Sequence, residues 1–189
     1  MHRVLHSCVL ACILAPAAAS ANGYSFVGAG FFAHEDTDTT DLVPHRGNSL
    51  RGYETALMVA MPSRPFAYFV EYGNTDVIEQ FSGGLLYHRT LATGFDLTAG
   101  ASAEFEDMTD EKGYGLRVGA RWWPRGPGLE LNPEIRHEEL FGAATSARLT
   151  VAVQVGRRLQ LEGAAQGGDD ERYLLGLRYA LPRDGPRFW

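Results

Sequence analysis

The chain has 189 residues, 45% of them hydrophobic and 21% charged, with a formal net charge of −6. That length makes one sizeable domain, the apolar fraction excludes wholesale disorder, and no run of about 18 apolar residues is available for a helical membrane span. A single lysine, Lys112, accompanies many arginines in a net acidic chain. That balance argues against nucleic acid as a partner, because phosphate binding needs a basic face.

The first 21 residues read as an export leader. Arg3 lies in a short polar lead, an apolar stretch runs from Cys8 to Leu14, and Ala19-Ser20-Ala21 supplies the small-x-small pattern for cleavage before Asn22. Val9-Leu10-Ala11-Cys12 loosely resembles a lipobox, but Cys12 comes before the apolar stretch is finished. Cys8 and Cys12 both fall in the leader, so the mature chain carries no thiol, no disulfide and no cysteine-bound metal. Cleavage also removes Arg3 and leaves the domain one unit more acidic.

From Gly23 onward, apolar and polar residues alternate with period two, the pattern of two-faced strands. Ten segments carry it, at 24–33, 51–61, 66–73, 80–88, 95–106, 114–122, 129–136, 148–155, 159–166 and 173–181. In the fifth, Phe95, Leu97, Ala99, Ala101, Ala103 and Phe105 oppose Asp96, Thr98, Gly100, Ser102, Glu104 and Glu106. In the eighth, Leu149, Val151, Val153 and Val155 oppose Arg148, Thr150, Ala152 and Gln154. Helical periodicity is absent, and the 22 glycines disfavour helices.

The character of the polar face chooses between a soluble and a membrane barrel. A solvated face would be rich in Lys as well as Arg. Here it is Gly, Ala, Ser and Thr interleaved with Glu and Arg, which suits a crowded concave interior. Glu54, Glu71, Glu104 and Glu134 can then pair across a lumen with Arg117, Arg121, Arg136 and Arg178. The aliphatic face would meet lipid, flanked by a girdle of Phe66, Tyr68, Tyr87, Phe95, Trp122, Tyr173 and Tyr179. The predicted fold is all-β, a closed antiparallel up-and-down transmembrane β-barrel over residues 22–181. Ten strands are expected, with eight as the alternative, and a short tail follows at 182–189.

Connections are expected to alternate. Short ones fall at 62–65, 89–94, 124–128 and 156–158, and longer ones at 34–49, 74–79, 107–112, 138–146 and 167–170. The long set is acidic (Asp36, Asp38, Asp41, Asp76, Asp107, Asp110, Glu111, Asp169, Asp170) and the short set basic (Arg64, Arg89, Arg125, Arg157, Arg158), as is the tail (Arg183, Arg187). Short turns on the periplasmic side and longer loops outside are the expected arrangement.

With these strands, Gly52-Tyr53 and Gly113-Tyr114 openings and a final Tyr173-x-Leu175-x-Leu177-x-Tyr179-x-Leu181 strand, the chain resembles the small outer-membrane β-barrels of Gram-negative bacteria. It is most similar to the OmpX/OmpA-like group and the small barrels of xanthomonads and their relatives. The resemblance implies the cell outer membrane as location, lipid and lipopolysaccharide as surroundings, and insertion by the barrel-assembly machinery, whose signal the last strand is similar to.

No catalytic constellation or cofactor site emerges. A rim hydrolase or acyltransferase would need a histidine beside a nucleophile or acid, for which His34, His45 and His137 with Ser49 or Ser146 are the candidates. A solvated rim histidine is the simpler reading of each. Asp36-Thr37-Asp38 and Asp107 to Glu111 offer oxygen ligands without calcium-loop spacing, so no metal is expected. Three functions remain: a non-enzymatic outer-membrane barrel with an envelope, surface-interaction or narrow-channel role; a barrel enzyme acting on lipid or peptide; and a soluble exported calyx for a small apolar ligand.

Overall fold

The computed structural model describes residues 24–35, 50–61, 64–75, 79–107, 109–124, 128–169 and 171–181. The expected leader, the tail 182–189, His45, Ser49 and the acidic residues of 36–49 lie outside them. Ten strands run through the described residues: β1 (Phe26–Glu35), β2 (Leu50–Ala60), β3 (Phe66–Thr75), β4 (Glu79–Ala92), β5 (Phe95–Glu106), β6 (Lys112–Trp122), β7 (Leu129–Glu139), β8 (Ala143–Gln154), β9 (Leu159–Gly168) and β10 (Glu171–Ala180). Each pairs antiparallel with its sequence neighbour, and β1 pairs with β10 from Phe26↔Ala180 to Glu35↔Glu171. The barrel is therefore closed, ten-stranded and without an unpaired edge.

The strands are longer than their alternation. β7 continues to Glu139 and β8 starts at Ala143, so the expected 138–146 loop shrinks to residues 140–142. The expected 89–94 turn likewise shrinks to Thr93-Gly94, where Gly94 has φ 75°, a conformation that glycine adopts without the Cβ clash. Near the rim both faces meet water, as at His137, Glu138 and Thr145. The apolar signal stops there while the hydrogen-bond ladder continues. The difference in loop length is consequently confined to the 36–49 connection, the others at that end being two to five residues. Pro133 lies inside β7, where it has no N–H to donate, and the β6–β7 pairing is interrupted between Gly119↔Glu134 and Trp122↔Leu131 with the register unchanged.

The polarity is inverted relative to a water-soluble domain. Phe31 (78%), Val118 (64%), Leu175 (63%) and Ile135 (61%) are exposed, whereas Glu106 (0%) and Glu130 (2%) are buried. The soluble calyx expected aliphatic rows inside; they stand outside, because strand register assigns one whole residue set to each face.

Two rows of aromatic rings border this aliphatic band. Phe66, Tyr87, Phe95 and Trp122 border the turn end, with Tyr68 and Tyr179 in the same band, and Phe66 packs edge-on against Tyr87 at 5.4 Å. Tyr173 is at the opposite, loop end with Phe31, Tyr53, Tyr72, Phe81, Phe105 and Tyr114, and Tyr53 lies 6.0 Å from Tyr72. Phe95 and Phe105 are ten residues apart on β5, about 33 Å along the strand, which a barrel tilt near 40° reduces to about 25 Å, the height of an outer-membrane apolar band.

Candidate functional site: the lumen

The inward face divides into two levels. At the turn end it is filled. Tyr24, which precedes β1, turns into the barrel and is fully buried with Ala60, Ala67, Phe69 and Leu86. The Tyr24 hydroxyl donates to Asp96 Oδ2 at 2.9 Å, and its ring stacks on His88 at 4.1 Å. Ser25 fastens this plug, its hydroxyl accepting from Ala60 N at 3.1 Å and its carbonyl from Leu181 N at 2.9 Å. Short side chains and rings meet here because small barrels have interiors just wide enough for side chains to fill.

Above the plug lies a ladder of ion pairs. Arg117 forks onto Glu71 with contacts of 2.9 and 3.0 Å, and Arg136 reaches the same carboxylate at 3.4 Å while also binding Glu134. Glu130 collects Arg121 (2.8 and 3.2 Å), Trp123 Nε1 (3.0 Å), Asn132 Nδ2 (2.8 Å) and Arg178 (2.7 Å). Glu54 receives Arg148 at 3.3 Å and Arg172 at 3.7 Å, and Glu162 pairs with Arg178.

Of the eight residues expected to pair across the lumen, seven lie in such pairs. Glu104 does not; its Oε1 accepts from Ser102 at 3.1 Å, and its Oε2 is buried without a hydrogen-bond partner. Glu130, Glu162, Arg148 and Arg172 were missed, although their places on the polar face of their strands carried the signal.

Four interior rings each carry a guanidinium over them: Arg117 on Phe69 (4.0 Å), Arg121 on Tyr24 (4.1 Å), Arg178 on Phe26 (4.3 Å) and Arg172 on Phe32 (4.8 Å). This gives the arginine bias a physical cause. A planar guanidinium stacks on a ring and still forks onto a carboxylate in its own plane, which an ammonium cannot do. Lys112, by contrast, stays exposed on the outside, 6.0 Å from the Phe105 ring.

Toward the loop end the ladder opens into a small cavity lined by Glu54, Glu71, Gln80, Glu104, Glu138 and Arg172 among others. The hydrolase candidates do not assemble. His137 is on the outer face, its Nδ1 2.9 Å from Thr145 Oγ1 and its Nε2 3.7 Å from Glu139, while Ser146 is buried on the inner face. The side chain of His34 is not among those described.

No family model matches the chain, and no curated protein matches it. Among solved structures, KdgM porin is similar over 81% of this chain and 99% of its own, at 12% identity and a TM-score of 0.50. The COG4313 outer membrane channel from Pseudomonas putida F1 is similar over 86% of this chain and 99% of its own, at 10% identity and a TM-score of 0.51. At these identities the likeness is one of fold, and the fold is a porin-like outer-membrane β-barrel.

Proposed function

We propose that this protein is a non-enzymatic outer-membrane barrel whose lumen forms a narrow, normally restricted channel for ions and small polar solutes. The observation that carries it is the inverted polarity: exposed aliphatic rows between two aromatic rows, around a charged and cavity-bearing interior. Lipid and lipopolysaccharide surround the barrel in this reading, and the barrel-assembly machinery inserts it. Residues 1–21 direct export, the 36–49 end faces outward, and kinship lies with the OmpX/OmpA-like group and its xanthomonad relatives.

Among the described residues inward carboxylates outnumber inward guanidiniums, so the lumen favours cations. One solved neighbour is described as KdgM porin in complex with disordered oligogalacturonate, a polyanion that this lumen would repel.

Two experiments test the reading. The full chain expressed in a Gram-negative host is expected in the detergent-extracted outer-membrane fraction. Its migration on a gel should shift after boiling, as for a closed barrel; recovery as a soluble periplasmic protein overturns the proposal. In planar bilayers Tyr24→Ala is expected to raise conductance severalfold, because it removes the ring stacked on His88 and the hydroxyl held by Asp96. Equal conductance of Tyr24→Ala and the parent chain would show that the plug does not limit flow.

A further inference from the structure

Among the described residues, the loop-end cavity holds more carboxylates than guanidiniums. Five carboxylates, Glu54, Glu71, Glu104, Glu134 and Glu138, stand in or beside it with four guanidiniums, which pair closely with Glu54, Glu71 and Glu134. Arg117 forks onto Glu71, Arg136 spans Glu71 and Glu134, and Arg148 and Arg172 converge on Glu54. Glu104 and Glu138 remain.

Their placement is a consequence of strand register. Glu104 on β5 pairs with Gly113 of β6, and the next inward residue of β6, Gly115, pairs with Glu138 of β7. A Cβ on Gly115 would fall 2.2 Å from Glu104 Oε1, so the glycine leaves the hollow into which the Glu104 carboxylate leans, toward Glu138. Glu104 is only 5% exposed, and its Oε2 has no hydrogen-bond partner although both acids line the cavity. A buried carboxylate oxygen left unpaired is costly, and a positively charged N–H donor is the group that relieves both the missing bond and the missing charge.

Among the described residues no group of three or more His, Cys, Asp or Glu side chains could hold a metal ion. The remaining polar lining, Gln80, Ser82 and Gln166, offers neutral groups suited to a ligand with several N–H bonds.

We propose that the cavity binds one organic monocation of the alkylammonium or alkylguanidinium class, its N–H groups held between Glu104 and Glu138. The site rests on the channel reading, since a ligand reaches Glu104 only through a solvent-filled mouth.

The test uses the full chain refolded in detergent at pH 7.5, with methylguanidinium titrated by calorimetry. Glu104→Gln and Glu138→Gln are each expected to weaken binding roughly tenfold or more, since each removes one charge-assisted hydrogen bond. The double variant should abolish it, and Glu111→Gln, an exposed acid outside the cavity, should leave it unchanged. Tetramethylammonium, which has the charge but no N–H, should bind more weakly than methylguanidinium.

If the parent chain binds no better than Glu104→Gln and Glu138→Gln while both migrate as folded barrels, the site is overturned and the barrel stands. If the parent chain has neither the boiling-dependent gel shift nor any conductance, the channel reading falls first and takes the site with it. Two variants keep the test decisive should one of them fail to fold.

Discussion

Glu130→Ala is expected to destabilise the barrel by about 3–5 kcal/mol, the range for removing one partner of a buried ion pair. Glu130 is 2% exposed, and Arg121 and Arg178, which it serves, are 6% exposed. Without the carboxylate both guanidiniums stay inside, and the Trp123 and Asn132 donors lose their acceptor. Arg178 retains Glu162, and Arg121 retains its stacking on Tyr24 and Trp123. Glu130→Gln, which preserves shape and some hydrogen bonds, should lose less. Glu139→Ala, which removes an exposed partner of His137, should change stability by no more than about 0.5 kcal/mol. Urea unfolding of the barrel refolded in lipid vesicles, followed by tryptophan fluorescence, measures all three. Equal midpoints for Glu130→Ala and Glu139→Ala would mean that the lumen ladder contributes no stability.

Val118→Arg is expected to cost about 2–4 kcal/mol in a bilayer, the range for a guanidinium at the midplane of a barrel's lipid face. Val118 is 64% exposed and paired with Ala99 and Ile135, midway between the two aromatic rows. The same substitution at Val155, beside the 156–158 turn, should cost no more than about 1 kcal/mol because the side chain reaches the headgroups. The contrast between the two positions is the diagnostic. A water-exposed face would accept arginine equally at both sites, so equal costs in vesicles would contradict a lipid-facing exterior. The lumen residues flanking Val118, Arg117 and Gly119, point the other way, so the substitution does not disturb the ladder.

Most of the barrel was legible in the sequence, for a physical reason. A strand with period two assigns each residue to a face, and when one face is aliphatic and the other is Gly, Ser, Glu and Arg, the two environments are named together. Ten such segments and their faces can therefore be read without knowing any long-range contact. Strand ends were less legible: at β7 and β8 the rim side chains are polar on both faces, and only the backbone ladder tells strand from loop. The loop-end aromatic row was also missed apart from Tyr173, because Phe31, Tyr53, Phe81, Phe105 and Tyr114 sit on different strands and become neighbours only when the register is set.

The sequence by itself determined the alternation, the arginine-rich polar face and thus the two-sided strands, since these are local properties of side chains one and two residues apart. Only the tertiary structure decided which charges meet. Glu71 and Arg117 are 46 residues apart, Glu71 and Arg136 65, and Glu54 and Arg148 94. Their contact follows from barrel closure and strand stagger, which place those residues across one enclosed lumen. The same closure folded Tyr24 into the turn end and left Glu104 Oε2 without a hydrogen-bond partner among the described residues. Facing inward is a property of a strand, whereas being paired is a property of the whole barrel.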